Sequence, residues 1–406
     1  MKILFYNHTG QISGAERVLL MILRGLDSRR FDAVVACPPE GRLGRMVSDL
    51  QVRTISIDSL RARFTWRPDR LIRYLGSFFQ VIRSARLNVI HEAPDIVHAN
   101  SIRGGLVMSA ATFGLNVPIV WHVHDLLPRH LLSVAIRLFL CLSRRNQVIA
   151  VSHAVAARLR GILLRCLSKR VPVHTIHNAV DLERFRPDSH SRKETRCGLR
   201  IAEEQLVIGI VGQLTARKQP LELIRAFAKV ASEVPNAVLL IVGEALFNRD
   251  AEYAESLVQT TDSLGLSDRI RFLGSREDIP ALMRAFDLLV VNSRAEAFGL
   301  TNIEAMATGT PVLAAAVDGI KEIIHHDQDG WLFDSQPALA DGMIKLLRDG
   351  NLRARLSRQS RRSVMTRFSA ERLLTETQSF YRGVLASGKT PQHKNAAAFE
   401  VKLSAD

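Results

Sequence analysis

Two carboxylates in the stretch EAFGLTNIEAMATGTPV (296–312), Glu296 and Glu304, stand eight positions apart. AFGL reads as the end of a loop, TNIEAMATG as a helix, and Gly309-Thr310-Pro311 as its stop before the next strand. The N–H groups of Gly299, Leu300 and Thr301 would then be unpaired at a helix start with the dipole behind them, an anion site that suits a diphosphate. Glu304, about one turn into the helix, can reach back to accept from paired hydroxyls such as a ribose offers, and Glu296 can do the same for hydroxyls on a sugar. The plainer alternative is a Glu304 that only caps the helix and a solvated Glu296. A second stretch, GIVGQLTARKQPLELI (209–224), ends a strand at Gly212 and carries Arg217 and Lys218 into a helix start. Two cations there suit the other side of a diphosphate and would stabilise a leaving group without a metal, although a solvated pair is the commoner meaning of adjacent Arg and Lys.

Three further stretches carry weaker signals. HTGQISGAERVLL (8–20) sets Gly10 and Gly14 between a strand and a helix, a close-approach loop without the GxGxxG pattern. HVHDLLP (122–128) places His122 and His124 on one strand face beside Asp125. No third ligand lies near them, so a histidine donating to a sugar hydroxyl fits better than a metal pair. HHDQDG (325–330) contains Asp327-x-Asp329, a spacing that can hold a divalent cation, yet ending in Gly330 before WLF it reads as a turn.

The elements that must position these residues alternate strand and helix. KILFYN (2–7), VVAC (34–37), DIVHAN (95–100), IVWHVHD (119–125) and QVIAVS (147–152) are buried-strand candidates in a first series, with GAERVLLMILRGL (14–26) an amphipathic helix. LVIGIVG (206–212), AVLLIVG (237–243), IRFLG (270–274), LLVVNS (288–293), PVLAAA (311–316) and WLF (331–333) form a second series, with a helix over 219–233. Such alternation predicts an α/β chain of two doubly wound, Rossmann-like domains. The expected division is 1–185, 186–368, a helix at 369–386 and a disordered tail at 387–406. Ligands of doubly wound sheets bind beyond the carboxyl ends of the strands, where NHTGQISGAE, HVHDLLP, GQLTARKQ, VGEALFNR and NSRAEAFGLTNIE all fall.

The length of 406 residues suits two domains, and 47% hydrophobic residues with ordinary Gly and Pro content suits globular ones. Four scattered cysteines without a CxxC pair argue against a zinc framework and for a reducing compartment. The N-terminus lacks the apolar run of a signal peptide. The longest apolar candidate, LLSVAIRLFLCL (131–142), is broken by Arg137 and short of the ~18 residues a membrane span needs. The net charge of +15 is uneven. Residues 1–185 carry 26 Lys and Arg against 12 Asp and Glu (+14), and residues 186–406 carry 29 against 28 (+1). Between Leu126 and Val180 there is no acidic residue, while Arg129, Arg137, Arg144, Arg145, Arg158, Arg160, Arg165, Lys169 and Arg170 fall there. Such a half attracts anions, either nucleic acid or lipid headgroups. No nucleic-acid recognition motif accompanies the charge, so nucleic acid beyond a nucleotide is not expected as a partner.

The glutamates eight apart followed by EAMATGTPVLA resemble the hallmark of the retaining glycosyltransferases of family four (group 1), of the GT-B fold. SGAERVLL, HVHDLLP, VIAVSHAV, IHNAVDLERFRP, VGQLTARKQPLELIRAFA, LLIVGE and IRFLG follow the family's order, so the resemblance runs from about residue 3 to 385. It implies transfer of a sugar from a UDP- or GDP-linked donor with retention, no metal or other cofactor, and a C-terminal helix crossing back to the first domain. By position, Lys218 matches the phosphate-binding lysine with Arg217 as second cation, and Glu296 the acid on the donor sugar. Phe298, Gly299, Leu300 and Thr301 match the phosphate-binding segment, Glu304 the ribose ligand, Gly14 the glycine loop near the diphosphate and His124 the histidine facing the reacting sugar. Ser275 and Arg276 stand where the base is held. Gln213 replaces a residue that is basic in many members, which shifts load to Arg217. Asn178-Ala179-Val180-Asp181 replaces the usual NGVD, whose glycine is read as a turn requirement.

The acceptor side falls to the basic first domain. The segment 60–86 mixes seven arginines with Phe64, Trp66, Tyr74, Phe78 and Phe79, opposed only by Asp69. Basic helices with aromatics lie on anionic membrane surfaces. The expectation is a cytoplasmic enzyme, peripheral at the inner face of the membrane, with a lipid-linked or saccharide acceptor in cell-envelope or polysaccharide biosynthesis. The alternatives are a nucleotide-sugar-binding protein without transferase activity and a non-hydrolysing sugar-nucleotide epimerase, which should lack this glutamate spacing.

Overall fold

The computed structural model describes residues 1–59, 68–128, 131–143, 145–160, 171–245 and 251–388. Arg129, Arg144, Arg165, Lys169 and Arg170 of the basic run, Phe64 and Trp66, the end of VGEALFNR and the tail beyond Gly388 lie outside the described residues.

The first sheet consists of β1 (Lys2–Tyr6), β2 (Asp32–Cys37), β3 (Arg53–Ser56), β4 (Ile96–Ala99), β5 (Ile119–Val123), β6 (Asn146–Ala150) and β7 (Val173–Thr175). Its order is β3-β2-β1-β4-β5-β6-β7, all parallel. The second consists of β8 (Leu206–Val211), β9 (Ala237–Val242), β10 (Ile270–Gly274), β11 (Leu288–Val291), β12 (Val312–Ala315) and β13 (Trp331–Phe333). Its order is β10-β9-β8-β11-β12-β13, again all parallel. Helices cover both faces, so the central strands are buried on both sides and read as largely apolar runs, interrupted by the buried His98 in β4 and His122 in β5. Two strands escaped the sequence reading. β3 and β7 are edge strands with half-exposed faces, so neither carries such a run.

In each sheet the order reverses between the first strand and a later one, β1 beside β4 and β8 beside β11. Loops leaving adjacent strands at that reversal diverge and open a crevice. The loop after β8 carries Arg217 and Lys218, and the loop after β11 carries Glu296 to Gly299, so the sheet order alone brings them together.

Helix Ala370–Gly388 leaves the second domain and packs on the first, as the resemblance implies. Leu373, Tyr381 and Val384 are buried in the cluster that includes Val18, Leu19 and Ile22 of helix Gly14–Gly25. Tyr381 Oη lies 2.8 Å from His98 Nδ1 in the buried layer beneath the first sheet. Helices cross closely at Gly25, where a Cβ would come within 2.1 Å of Leu374 Cδ1. Val180 N donates to Phe368 O at 3.0 Å, tying the 178–181 segment to the start of the crossing. Ala179 is buried and its φ is not positive, so no left-handed turn is required there and the reading of that position as a glycine turn is corrected.

Candidate active site

Helix Leu300–Thr308 begins at Gly299, whose φ of 100° is left-handed, and stops at Gly309, φ 79°, ahead of Pro311. The carbonyl of Gly299 is tied back by Asn302, through its N–H at 3.0 Å and its Nδ2 at 3.2 Å. The N–H groups of Gly299, Leu300 and Thr301 have no intrahelical acceptor, and the dipole adds to their pull on an anion. A Cβ at Gly299 would lie 3.3 Å from Glu296 Cγ, so the carboxylate stands against the helix start. Glu296 Oε2 accepts from Lys218 Nζ at 2.5 Å and from Ser293 Oγ at 3.2 Å, with Arg217 Nη1 at 3.7 Å. Arg217 Nη1 also donates to Ala295 O at 3.2 Å. Lys218 is oriented by a tight turn at Gln219, φ 53°, after which Pro220 starts the next helix. The two cations and the Glu296 carboxylate thus meet at one point.

Glu304 is buried. Its partner is Arg17 of the first domain, Nη1 to Oε1 at 3.5 Å, a long contact. Burial, the largest influence, pushes its carboxyl above the usual range, and Arg17 and Arg184 pull it back only in part. A buried acid so thinly partnered has acceptor capacity left for ligand hydroxyls.

The first domain supplies the opposite wall. Gly14, which starts its helix, faces Leu300, whose Cδ1 would stand 3.0 Å from a Cβ at that position. The loop before it is held by Glu16, which accepts from Ser13 N at 2.9 Å and Asn7 Nδ2 at 3.1 Å. Gly10 allows this loop to touch the next one, since a Cβ there would meet Glu40 O at 1.8 Å. His124 Nε2 donates to Asn100 Oδ1 at 3.1 Å, and its ring lies 4.1 Å from that of His122. Burial pushes His124 down to about 3, so the imidazole is neutral, its one N–H is spent on Asn100 and Nδ1 is an acceptor, which corrects the expectation of a histidine donating to a sugar hydroxyl. His122 Nδ1 bonds His98 Nε2 at 3.2 Å, within the layer that Tyr381 reaches. Arg103 and Arg217 are near enough to act on the charge of Asp125.

Some expected residues sit differently. The Phe298 ring is buried, 5.7 Å from His177 and 5.6 Å from Phe368, so its side chain turns into the domain junction and only its backbone can serve a ligand. Ser275 and Arg276 follow β10 on the same sheet edge and are exposed, with the Arg276 guanidinium held by Asp278 at 2.8 and 2.7 Å. Gln213 is exposed after Gly212. Asp327 and Asp329 do not converge. Asp327 closes a turn at φ 58° and pairs with Arg355, while Asp329 caps His325 N at 2.7 Å and accepts from Ser363 Oγ at 2.7 Å. Sequence reasoning missed Arg17, Arg103 and Glu322, which act across gaps that no local spacing encodes, and also Ser293 and Asn302, which act three positions away on Glu296 and Gly299.

The second domain matches the family model for glycosyl transferases group 1 over residues 191–363, and the first matches that for glycosyltransferase family 4 over residues 12–184. The chain is 28% identical over 250 residues to an N-acetyl-alpha-D-glucosaminyl L-malate synthase of Bacillus anthracis, covering 61% of this chain and 62% of that protein, less than two thirds of its length. It is 24% identical over 392 residues to a UDP-Gal:alpha-D-GlcNAc-diphosphoundecaprenol alpha-1,3-galactosyltransferase of Escherichia coli, covering 91% of this chain and 94% of that one. HepE of Anabaena, solved with UDP and glucose, superposes with a TM-score of 0.79 at 26% identity over 94% of this chain and 99% of its own. With both domains matched and two parallel sheets joined as described, the chain belongs to the group 1, family 4 glycosyltransferases of GT-B fold.

Proposed function

We propose that this chain transfers a sugar, with retention at the anomeric carbon, from a nucleotide diphosphate donor to a lipid-linked or saccharide acceptor, without a metal at the diphosphate. The observation that carries the reading is the meeting of Lys218, Arg217 and Glu296 at the left-handed Gly299 helix start. UDP is favoured over GDP by the ligands of HepE and by the donor named for the Escherichia coli relative. That relative's diphosphoundecaprenol acceptor supports a lipid-linked one here.

In this scheme the acceptor hydroxyl attacks the anomeric carbon on the face the diphosphate leaves. The bond from that carbon to the phosphate oxygen breaks, the bond to the acceptor oxygen forms, and the acceptor's proton passes to the departing phosphate. Lys218, Arg217 and the helix amides hold the charge that develops there. Glu296 accepts from donor-sugar hydroxyls and Glu304 from the ribose. Neutral His124, fixed by Asn100, accepts from a sugar hydroxyl through Nδ1.

Membrane attachment belongs to the same proposal, but on a surface other than the basic run. Among its described arginines, Arg137 donates to Leu159 O at 2.9 Å, Arg145 to Leu115 O, Arg160 to Val173 O at 3.1 Å, and Arg158 pairs with Asp318 at 3.7 Å. Helix Pro68–Glu92 instead turns Val81, Ala85 and Val89 inward and exposes Phe79, Arg83, Leu87 and Ile90 at spacings of four, four and three. On the same helix Arg86 Nη1 donates to the backbone carbonyl of Phe113 at 2.7 Å, and the Phe113 side chain is itself 82% exposed. No helix of the described residues is long and apolar enough to cross a membrane. An exposed apolar stripe that includes Arg83 suits the inner, anionic face of a cytoplasmic membrane.

The test is a thermal-shift and turnover series with UDP, GDP and their sugar conjugates on the metal-free chain. Stabilisation by UDP and slow release of UDP from one conjugate is the expected result. No stabilisation by any nucleotide would overturn the donor reading, and turnover that depends on added Mg²⁺ would overturn its metal-free part.

A further inference from the structure

We infer that His153, His177 and Glu322 form a binding site for a borderline divalent metal of the zinc class, which staples the two domains together. This goes beyond the donor reading, because the metal would take no part in holding the diphosphate. The three residues come from separate parts of the fold. His153 opens helix His153–Arg160 after β6, His177 lies in the connection after β7, and Glu322 is in helix Ile320–Ile323 of the second domain. One ligand atom from each lies within 4.8 Å of the others. Tetrahedral zinc with bonds of about 2.0–2.1 Å places its ligands roughly 3.3 Å apart, within reach of side-chain rotation.

The chemistry of the set is selective. Two imidazoles and a carboxylate suit zinc, cobalt or nickel rather than magnesium or calcium, which demand oxygen. Glu322 is already oriented: Oε2 accepts from His153 N at 2.8 Å and from His177 Nε2 at 2.8 Å, and Oε1 from Ala154 N at 2.8 Å. The two main-chain donors can stay in place while a metal replaces the His177 contact. The His153 and His177 rings stand edge to face at 5.5 Å, and His153 Nδ1 lies 3.3 Å from Thr175 Oγ1, an outer partner that orients the ring. A fourth position is left for water.

The site lies one ring away from the donor loop, since His177 stacks on Phe298. The segment before Glu322 also backs that loop through Gly319 N to Glu296 O at 3.1 Å. A metal there would fix the domain junction and the loop at once.

The test is zinc binding to the chelator-stripped full chain, by equilibrium dialysis and calorimetry, with thermal shift alongside. One zinc per chain is expected, with a rise in Tm that Mg²⁺ does not reproduce and a visible absorption band on cobalt substitution. His153→Ala, at an exposed position, and His153→Ala with His177→Gln should weaken binding ~100-fold or more and abolish the shift. Stoichiometry unchanged in these variants, or no binding by the parent chain, would overturn the proposal. Nucleotide-induced stabilisation serves as the separate readout: its presence without zinc binding rejects this site alone, and its absence rejects the donor reading alone.

Discussion

Glu296 and Glu304 differ in what surrounds them, and that difference divides their tasks. Glu296 is paired with Lys218, so in the proposed scheme donor binding would exchange that pair for contacts to the sugar and the diphosphate. Removing the ammonium in Lys218→Ala takes away charge placed where charge develops, and turnover should fall by ~10² or more with the fold intact. Steady-state kinetics within threefold of the parent would rule the role out. Glu304 is buried against one distant guanidinium. Its raised pKa means that the folded chain holds the proton more tightly than the unfolded one. Folding therefore loses stability as pH rises from the ordinary carboxylate value through the raised one, and the cost persists at neutral pH. Glu304→Gln should raise Tm at pH 7 and give no gain near pH ~4. The same variant should bind UDP about 10-fold or more weakly, since hydrogen bonds to a charged acceptor are lost. Melting curves at the two pH values with UDP titrations decide both.

The loop and helix from Glu296 to Thr308 act as one element whose geometry depends on Gly299. At φ 100° a side chain is strained, and a Cβ would press on Asn302 Nδ2 at 2.4 Å, the group that holds the Gly299 carbonyl. Gly299→Ala should cost about 1–3 kcal/mol, roughly 2–10 °C in Tm for a domain of this size, and weaken UDP binding as the first-turn amides tilt. Unchanged Tm and UDP affinity would show that the loop tolerates either conformation. Gly309 at the other end is legible from the sequence, because Gly-Thr-Pro after a helical run marks a stop.

At the scale of the whole molecule, the first domain carries the charge excess and the exposed apolar stripe, and the second carries the loop proposed to hold the donor. The crossing helix makes them one body by burying Tyr381 and Leu373 against the first domain. If the stripe seats the enzyme on a membrane, Phe79→Ser with Phe113→Ser should abolish flotation with anionic vesicles at low salt. Donor binding and melting should stay unchanged, since both side chains are exposed. Flotation equal to that of the parent would move the contact elsewhere or dismiss it.

Eleven of the thirteen strands among the described residues, the order of the two series and the residues at the strand ends were readable in the sequence. Strands buried on both faces are largely apolar, and the turns that stop helices need particular residues. β3 and β7 were not readable, because half-exposed edges lift that constraint. Nor was the partnership of Arg17 with Glu304, the turn of Phe298 into the junction, or the commitment of Arg137, Arg145 and Arg160 to backbone carbonyls. Those depend on which surfaces two separately wound sheets bring together, and local patterning constrains a segment's own burial but not its distant neighbour. The chemistry of each residue was therefore set along the chain, while its partner was set only in the folded arrangement.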